Sequence, residues 1–361
     1  MGTITRNFAN NVVTGGKVDG TDALTGTIPA SNVSNDTLGN LTAFPATVGD
    51  FVETTASDVT ASPSTAGQLF YNTTSGTLKG ISLGAAAWSS GGALNTAREA
   101  LGAAGIQTAS IAFGGGTFPQ TTASESYDGS SWTNTASLNT ARAELRGCGT
   151  QTAAIGAGGY QPPFSSATES WNGSTWTSVN SLNTARSALS VIGTQTASVA
   201  AGGLTSGFTP STATETWDGT NWTTSPNSLN SARGNAGGGA GDQTAGLVFG
   251  GDPANNATEE WNGTSWTTVP ATLNTARNAM GGAGTQNAAL AFGGSGYTAS
   301  TEEYDGSVWS TRPNLATGRS KVGGSGTQTA ALCSGGSTGS VQALTEEFTG
   351  AQYEAKTLTT S

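Results

Sequence analysis

Thr168-Glu169-Ser170-Trp171-Asn172-Gly173-Ser174-Thr175-Trp176 is a hairpin written in one line of sequence. Asn-Gly between two aromatics supplies the positive φ that a tight hairpin turn needs. Trp171 and Trp176 are then expected to face each other across the two strands. The same string recurs with Tyr127/Trp132, Trp217/Trp222, Trp261/Trp266 and Tyr304/Trp309, each pair enclosing Asp-Gly or Asn-Gly. The second aromatics, preceded by Trp88 and followed by Tyr353, are spaced 44, 44, 46, 44, 43 and 44 residues apart. Seven anchors enclose six units, and a period of this size is the mark of a repeat architecture.

Working outward from the hairpin, each unit has one order of parts. Leu-Asn-Thr-Ala-Arg or a close variant opens it, with Arg98, Arg142, Arg186, Arg233, Arg277 and Arg319 in register. A run of small residues follows, such as Gly102-Ala103-Ala104-Gly105. A Gly-Thr-Gln-Thr-Ala segment then turns apolar and ends in Gly-Gly. After a loop of varying length comes the hairpin, ending on Trp132, Trp176, Trp222, Trp266 or Trp309. We read four short strands per unit. The Gly-Gly closes the second strand where a side chain would be strained or collide. The small-residue first strand suits the crowded inside of a radial array. No segment sustains a 3.6-residue period, so helix is expected to be minor. Four strands in about 44 residues, six times over, predict an all-β fold, a β-propeller.

The pattern resembles the kelch family, which has a Gly-Gly pair at the end of the second strand and then a Tyr and a Trp. The pairs here are Gly114-Gly115, Gly158-Gly159, Gly202-Gly203, Gly250-Gly251, Gly293-Gly294 and Gly335-Gly336. One departure is the five-residue spacing of the aromatics, which shortens the hairpin. The resemblance implies a kelch-like propeller, and the six units predict six blades over residues 86–361. Its closing outer strand would come from the Trp88–Leu94 end or from Tyr353–Leu358. A seventh blade would need two more strands than residues 353–361 can make.

Residues 1–85 differ in composition. They contain Gly26-Thr27-Ile28-Pro29-Ala30-Ser31 and a hairpin in Gly67-Gln68-Leu69-Phe70-Tyr71-Asn72-Thr73 and the residues that follow. This stretch resembles tail-fibre and other virion appendage proteins of tailed bacteriophages. The resemblance implies an N-terminal part that attaches to other virion proteins, an outward-facing propeller, and assembly as a homo-oligomer in the host cytoplasm.

Composition narrows the chemistry. The chain has 361 residues, 54 of them Gly, with 13 Lys+Arg against 23 Asp+Glu, a net charge of −10 and no His. Leu, Ile, Val and Phe together number 54. Few large apolar residues with little charge read as a β protein packed with Ala, Gly, Val and Trp, and not as a charge-swollen disordered chain. The lack of His excludes a Ser-His-Asp triad, an imidazole metal ligand and a kelch-type copper oxidase. The acidic balance argues against nucleic acid. Nothing reads as a signal peptide or an apolar run long enough to span a bilayer, so no membrane insertion is expected. Two cysteines form neither a disulfide framework nor a zinc pattern. Cys148 and Cys333 fall in units that are not neighbours and are expected to be small buried fillers. No cofactor, metal or catalytic residue is indicated.

Two candidate groups remain. The six repeated Arg, each with a Glu such as Glu169, could bind ligand, but six copies in register favour a structural ion pair or an Arg stacked on a Trp. The loop after Gly-Gly is where the units diverge, and it carries Phe118, Tyr160, Phe164, Phe208 and Tyr297. Variation confined to one loop per repeat falls on one face of a propeller, often the binding face. Aromatics beside Asn, Gln and Thr suit sugar rings; the competing reading is drift in loops whose aromatics pack locally. The expected role is a non-catalytic virion appendage that binds host-surface glycan. The alternative is a capsid or tail decoration protein. A glycan-cleaving enzyme is the remote third: Ser126 to Trp132 resembles the Asp-box of sialidases but has no residue between Asp and Gly, and of the Arg outside the N-terminal region only Arg146 and Arg312 lie outside the repeat.

Overall fold

The computed structural model describes residues 53–116, 119–235, 238–253 and 255–358. The described residues divide into two compact units, one of Ala86–Gly350 and the other of residues 53–85 together with 351–358. The repeat-bearing unit therefore ends at Gly350, short of the expected 361.

In the smaller unit, β1 (Glu53–Thr55), β2 (Leu69–Asn72) and β3 (Thr77–Leu83) form a sheet that ends on the C-terminal strand, β30 (Tyr353–Thr357). β1 and β2 are parallel and the other pairs antiparallel. The β2–β3 hairpin falls where its turn residues place it. Asn72 Oδ1 accepts the Thr74 and Ser75 N–H at 3.0 and 2.9 Å, and Gly76 takes φ +66°. Phe70 and Ile81 are buried. Because Leu83 pairs with Tyr353, residues 86–350 are an insertion between two adjacent strands of this sheet.

The larger unit is all-β. Its described residues hold six four-stranded antiparallel sheets. The first comprises β5 (Gly102–Ile106), β6 (Ala109–Phe113), β7 (Ser124–Tyr127) and β8 (Trp132–Asn134). The second comprises β9 (Arg146–Gly149), β10 (Ala154–Ala157), β11 (Thr168–Trp171) and β12 (Trp176–Val179). The third has β13 (Ser190–Gly193), β14 (Ser198–Ala201), β17 (Thr214–Trp217) and β18 (Trp222–Thr224), with the small hairpin β15 (Leu204–Thr205) and β16 (Thr209–Pro210) in its loop. The fourth is β19 (Gly238–Gly241), β20 (Gly246–Phe249), β21 (Thr258–Trp261) and β22 (Trp266–Val269). The fifth is β23 (Gly281–Thr285), β24 (Ala288–Phe292), β25 (Thr301–Tyr304) and β26 (Trp309–Arg312). The sixth is β27 (Gly323–Gly326), β28 (Ala330–Ser334), β29 (Thr345–Thr349) and β4 (Ala87–Ser90). Of the two segments able to complete that last sheet, Trp88 and its neighbours do so, opposite Phe348. Helix is confined to two 3-10 turns among the described residues, Pro63–Thr65 and Ser206–Phe208.

Four-stranded sheets of this kind are compatible with a propeller-like arrangement. First strands touch in series, β5 to β9, β13, β19, β23 and β27, and β27 touches β5. The small-residue runs make this approach feasible. A Cβ on Gly282 would lie 2.9 Å from Gly238 Cα, so these strands pack backbone on backbone. Apolar clusters fill the spaces between sheets. Ile111, Phe113, Leu145, Trp171 and Trp176 fill one, and Leu101, Tyr127, Trp132 and Leu332 join the first sheet to the sixth.

The hairpins differ in one detail from the expected tight turn. Trp171 pairs with Trp176, ring centroids 5.4 Å apart, across a four-residue loop in which only Gly173 has positive φ. Asn172 closes the loop with its side chain, Oδ1 accepting the Ser174 and Thr175 N–H at 2.9 Å each.

Candidate functional site

The six repeated arginines are buried, and each forms an ion pair with the Glu in the third strand of its own sheet. The pairs are Arg98–Glu125, Arg142–Glu169, Arg186–Glu215, Arg233–Glu259, Arg277–Glu302 and Arg319–Glu346. The guanidinium also donates to backbone carbonyls, as Arg186 does to Gly202 and Ala213 at 2.7 and 2.8 Å. The carboxylate's other oxygen accepts the backbone N–H at the Asn position of Leu-Asn-Thr-Ala-Arg, as Glu169 does from Asn139 at 2.7 Å. The Asn side chain then donates to the outer-strand Trp carbonyl, as Asn139 does to Trp176 at 3.1 Å. Burial pulls Arg98, Arg142, Arg186 and Arg233 below the ordinary guanidinium value, and the partner Glu opposes the shift. The guanidinium and carboxylate groups are all buried, so the Arg–Glu pair fastens the sheet and offers nothing to solvent.

The outer-strand tryptophans link sheet to sheet. Nε1 of Trp88, Trp132, Trp176, Trp222, Trp266 and Trp309 donates to the first Thr or Ser of the third strand next door, at 2.9–3.1 Å. Trp132 reaches Thr345 in the sixth sheet. The sequence reading missed two further linkers. The Gln of Gly-Thr-Gln-Thr-Ala reaches back to the neighbouring third strand, Gln107 Nε2 to Phe348 O at 2.7 Å and Gln195 Nε2 to Trp171 O at 2.5 Å. Its invariable place in the unit was the available signal.

The other is a backbone collar at residues Ala100, Glu144, Ala188, Asn235, Ala279 and Lys321, all at positive φ. The N–H of Ala100 donates to Lys321 O, Glu144 to Ala100, Ala188 to Glu144, Ala279 to Asn235 and Lys321 to Ala279, at 2.7–3.2 Å. Four kinds of side chain stand at these six places, so residue type gave no hint of it. Two acids lie at or beside the collar, and both are engaged: Glu99 pairs with Lys321 Nζ at 3.0 Å, and Glu144 accepts Ser187 Oγ at 2.7 Å.

The loops after Gly-Gly lie on the same side as the collar, held there by backbone pairing such as Tyr160 N–H to Ala143 O at 2.6 Å and Leu204 N–H to Ser187 O at 2.8 Å. Gly158 and Gly159 take φ +66° and +120°, and a Cβ on Gly158 would lie 2.4 Å from Arg186 O, which is why this bend is glycine in every unit. Three of the five candidate aromatics come together from two loops. Tyr160 and Phe164 are 5.3 Å apart, Phe164 and Phe208 5.2 Å, and Tyr160 and Phe208 5.8 Å between ring centroids. Phe208 stands at the tip of the β15–β16 hairpin and is 58% exposed, with Tyr160 and Phe164 half-buried beneath it. Exposed Gln161, Ser206 and Thr209 flank the rings, and the Tyr160 hydroxyl makes no hydrogen bond among the described residues. Tyr297 is 48% exposed but stands apart, its ring against Gly339. Phe118 lies outside the described residues.

Such a cluster can stack on an apolar ring face while its neighbours donate and accept hydrogen bonds. No group of metal-binding side chains occurs among the described residues. Nor is any described helix long and apolar enough to cross a membrane. The Asp-box-like string builds a turn: Asp128 Oδ1 accepts the Ser130 and Ser131 N–H at 2.8 Å, and these bonds hold its carboxyl down to about 2. Cys148 and Cys333 are free and buried, and burial pushes their thiols up to about 12 and about 11. Comparison with known protein families and with curated proteins found no match.

Proposed function

We propose that this chain is a structural protein of a tailed-bacteriophage virion, a tail fibre or similar appendage, that binds host-surface glycan without catalysis. In this reading Ala86–Gly350 is a six-bladed, kelch-like β-propeller. The serial contacts of the first strands, the Trp132–Thr345 bond and the Gln107–Phe348 bond support six blades closed between the first and sixth sheets. Residues 1–85 attach to other virion proteins, and the protein assembles as a homo-oligomer.

The observation that carries the binding role is the Tyr160–Phe164–Phe208 cluster. A 58%-exposed Phe on a hairpin tip contributes little to folding and leaves a ring face for a ligand. Sugars present apolar faces to such rings and hydroxyls to the Gln, Ser and Thr beside them. The test is binding of the purified protein to bacterial cells and to immobilised lipopolysaccharide and capsular polysaccharide, beside a Phe164→Ala/Phe208→Ala variant. Saturable binding that the variant loses supports the reading. Absence of binding across a panel, by folded protein, moves the assignment to capsid or tail decoration, in which virion proteins cover these rings.

A further inference from the structure

We propose that the cavity enclosed by the six first strands is a binding site for one small anion, held by the Arg146 guanidinium with Ser190 Oγ beside it. β5, β9, β13, β19, β23 and β27 all contribute to the wall of this cavity, whose volume is about 50 Å³. Water needs about 10–15 Å³ of such space, so there is room for a halide or a single carboxylate or phosphate group.

The repeat itself shows that Arg146 is out of place. Positions in register across the six sheets are Gly102, Arg146, Ser190, Gly238, Gly281 and Gly323. Five are small and neutral; one carries a charge. At Gly238 and Gly281 a side chain would run into the Phe of its own sheet, with Cβ 2.1 and 2.4 Å from the Phe249 and Phe292 rings. The second sheet has Ala157 in place of that Phe, so no ring of its own sheet stands against a side chain at 146.

Arg146 is half-buried, and a cation partly withdrawn from water favours an acceptor. Arg146 has five N–H donors. Among the described residues its one hydrogen bond goes to Leu101 O at 3.0 Å, and no carboxylate lies within ion-pair distance. Every other described arginine has a Glu partner. Burial pulls the guanidinium below its ordinary value and Glu144 only partly offsets this, its carboxylate being hydrogen-bonded to Ser187. Lys321 and Glu99 neutralise one another. Ser190, 4% exposed, lines the same cavity, and its Oγ has no hydrogen-bond partner among the described residues. A planar set of N–H donors and a free hydroxyl around one small space form a site complementary to an anion.

The test dialyses the protein into sodium gluconate, whose anion is too large for the cavity. It is then titrated at constant ionic strength with sodium chloride, formate or phosphate while the thermal midpoint is followed. The expected result is a saturable rise with at least one of the three. Arg146→Ser, which installs the residue the third sheet already carries, abolishes that rise. Ser190→Ala weakens the apparent affinity by about tenfold. Equal responses of the wild type and Arg146→Ser, or no saturable response from the wild type, overturn the proposal. Should Arg146→Ser fail to fold, Arg146→Lys decides: an unchanged anion response overturns it, a weakened one sustains it.

Discussion

Arg142 donates to Glu169 Oε1 at 3.0 Å with both side chains buried, and the carboxylate's other oxygen accepts the Asn139 N–H. One carboxylate thus joins the strap before the first strand to the third strand of the same sheet. Two buried opposite charges gain little over two apolar groups, but one left alone is costly. Arg142→Met is expected to destabilise the repeat unit by about 3–5 kcal/mol. The double variant Arg142→Met/Glu169→Met should recover much of that loss. Denaturant unfolding of the two variants checks both statements. A double variant less stable than the single would show that the pair contributes more than mutual neutralisation.

Trp88 tests how the sixth sheet is completed. Its ring packs 5.1 Å from Phe292 and 5.2 Å from Phe348, and its Nε1 donates to Thr301. Trp88→Ala removes all three contacts and should cost about 3 kcal/mol. Trp88→Phe keeps the ring and loses only the hydrogen bond, about 1 kcal/mol. Limited proteolysis should then cut near residues 86–92 in Trp88→Ala first. Resistance equal to wild type would mean that β4 is dispensable.

High pH gives a separate check. Tyr127 is pushed up to about 12, first by burial and then by its hydrogen bond to Glu347, against an ordinary value of 10. A raised folded value means the native state prefers the neutral phenol. The stability this provides is fully present below pH 10 and is lost as pH rises toward 12. Cys148 acts in the same direction from its ordinary value of 9 upward. Unfolding free energy should therefore fall between pH 9 and 12, and Tyr127→Phe should remove part of that fall. Identical pH profiles for Tyr127→Phe and wild type would contradict the assignment to this phenol.

The repeat period, the strand order and the buried filler role of the cysteines were legible because each rests on a residue type that only one environment suits. Gly-Gly needs positive φ, paired aromatics need facing strands, and in-register Arg and Glu need each other. The collar was invisible, since its bonds are made by main chain at positions as different as Ala188 and Lys321. The five candidate rings could not be sorted from sequence either. Whether Tyr160 meets Phe208 depends on two loops from adjacent sheets, which no periodicity encodes. Arg146 was visible as an arginine outside the motif, but only the cavity that the first strands line gives that fact a meaning.

Phe208 separates binding from packing at the loop face. If its ring only packs locally, Phe208→Ala should cost about 0.5–1.5 kcal/mol of stability through the lost contacts with Tyr160 and Phe164, and leave cell binding unchanged. If the ring is a ligand platform, stability should change by less than about 0.5 kcal/mol, as for most exposed positions. Affinity for cells or polysaccharide should then fall about tenfold or more. Its 58% exposure favours the second outcome. Tyr297→Ala is the internal comparison, also exposed on the same kind of loop but outside the cluster. Equal losses of binding in the two variants would spread the site over the whole loop face, and a loss confined to Phe208→Ala would centre it on the three rings.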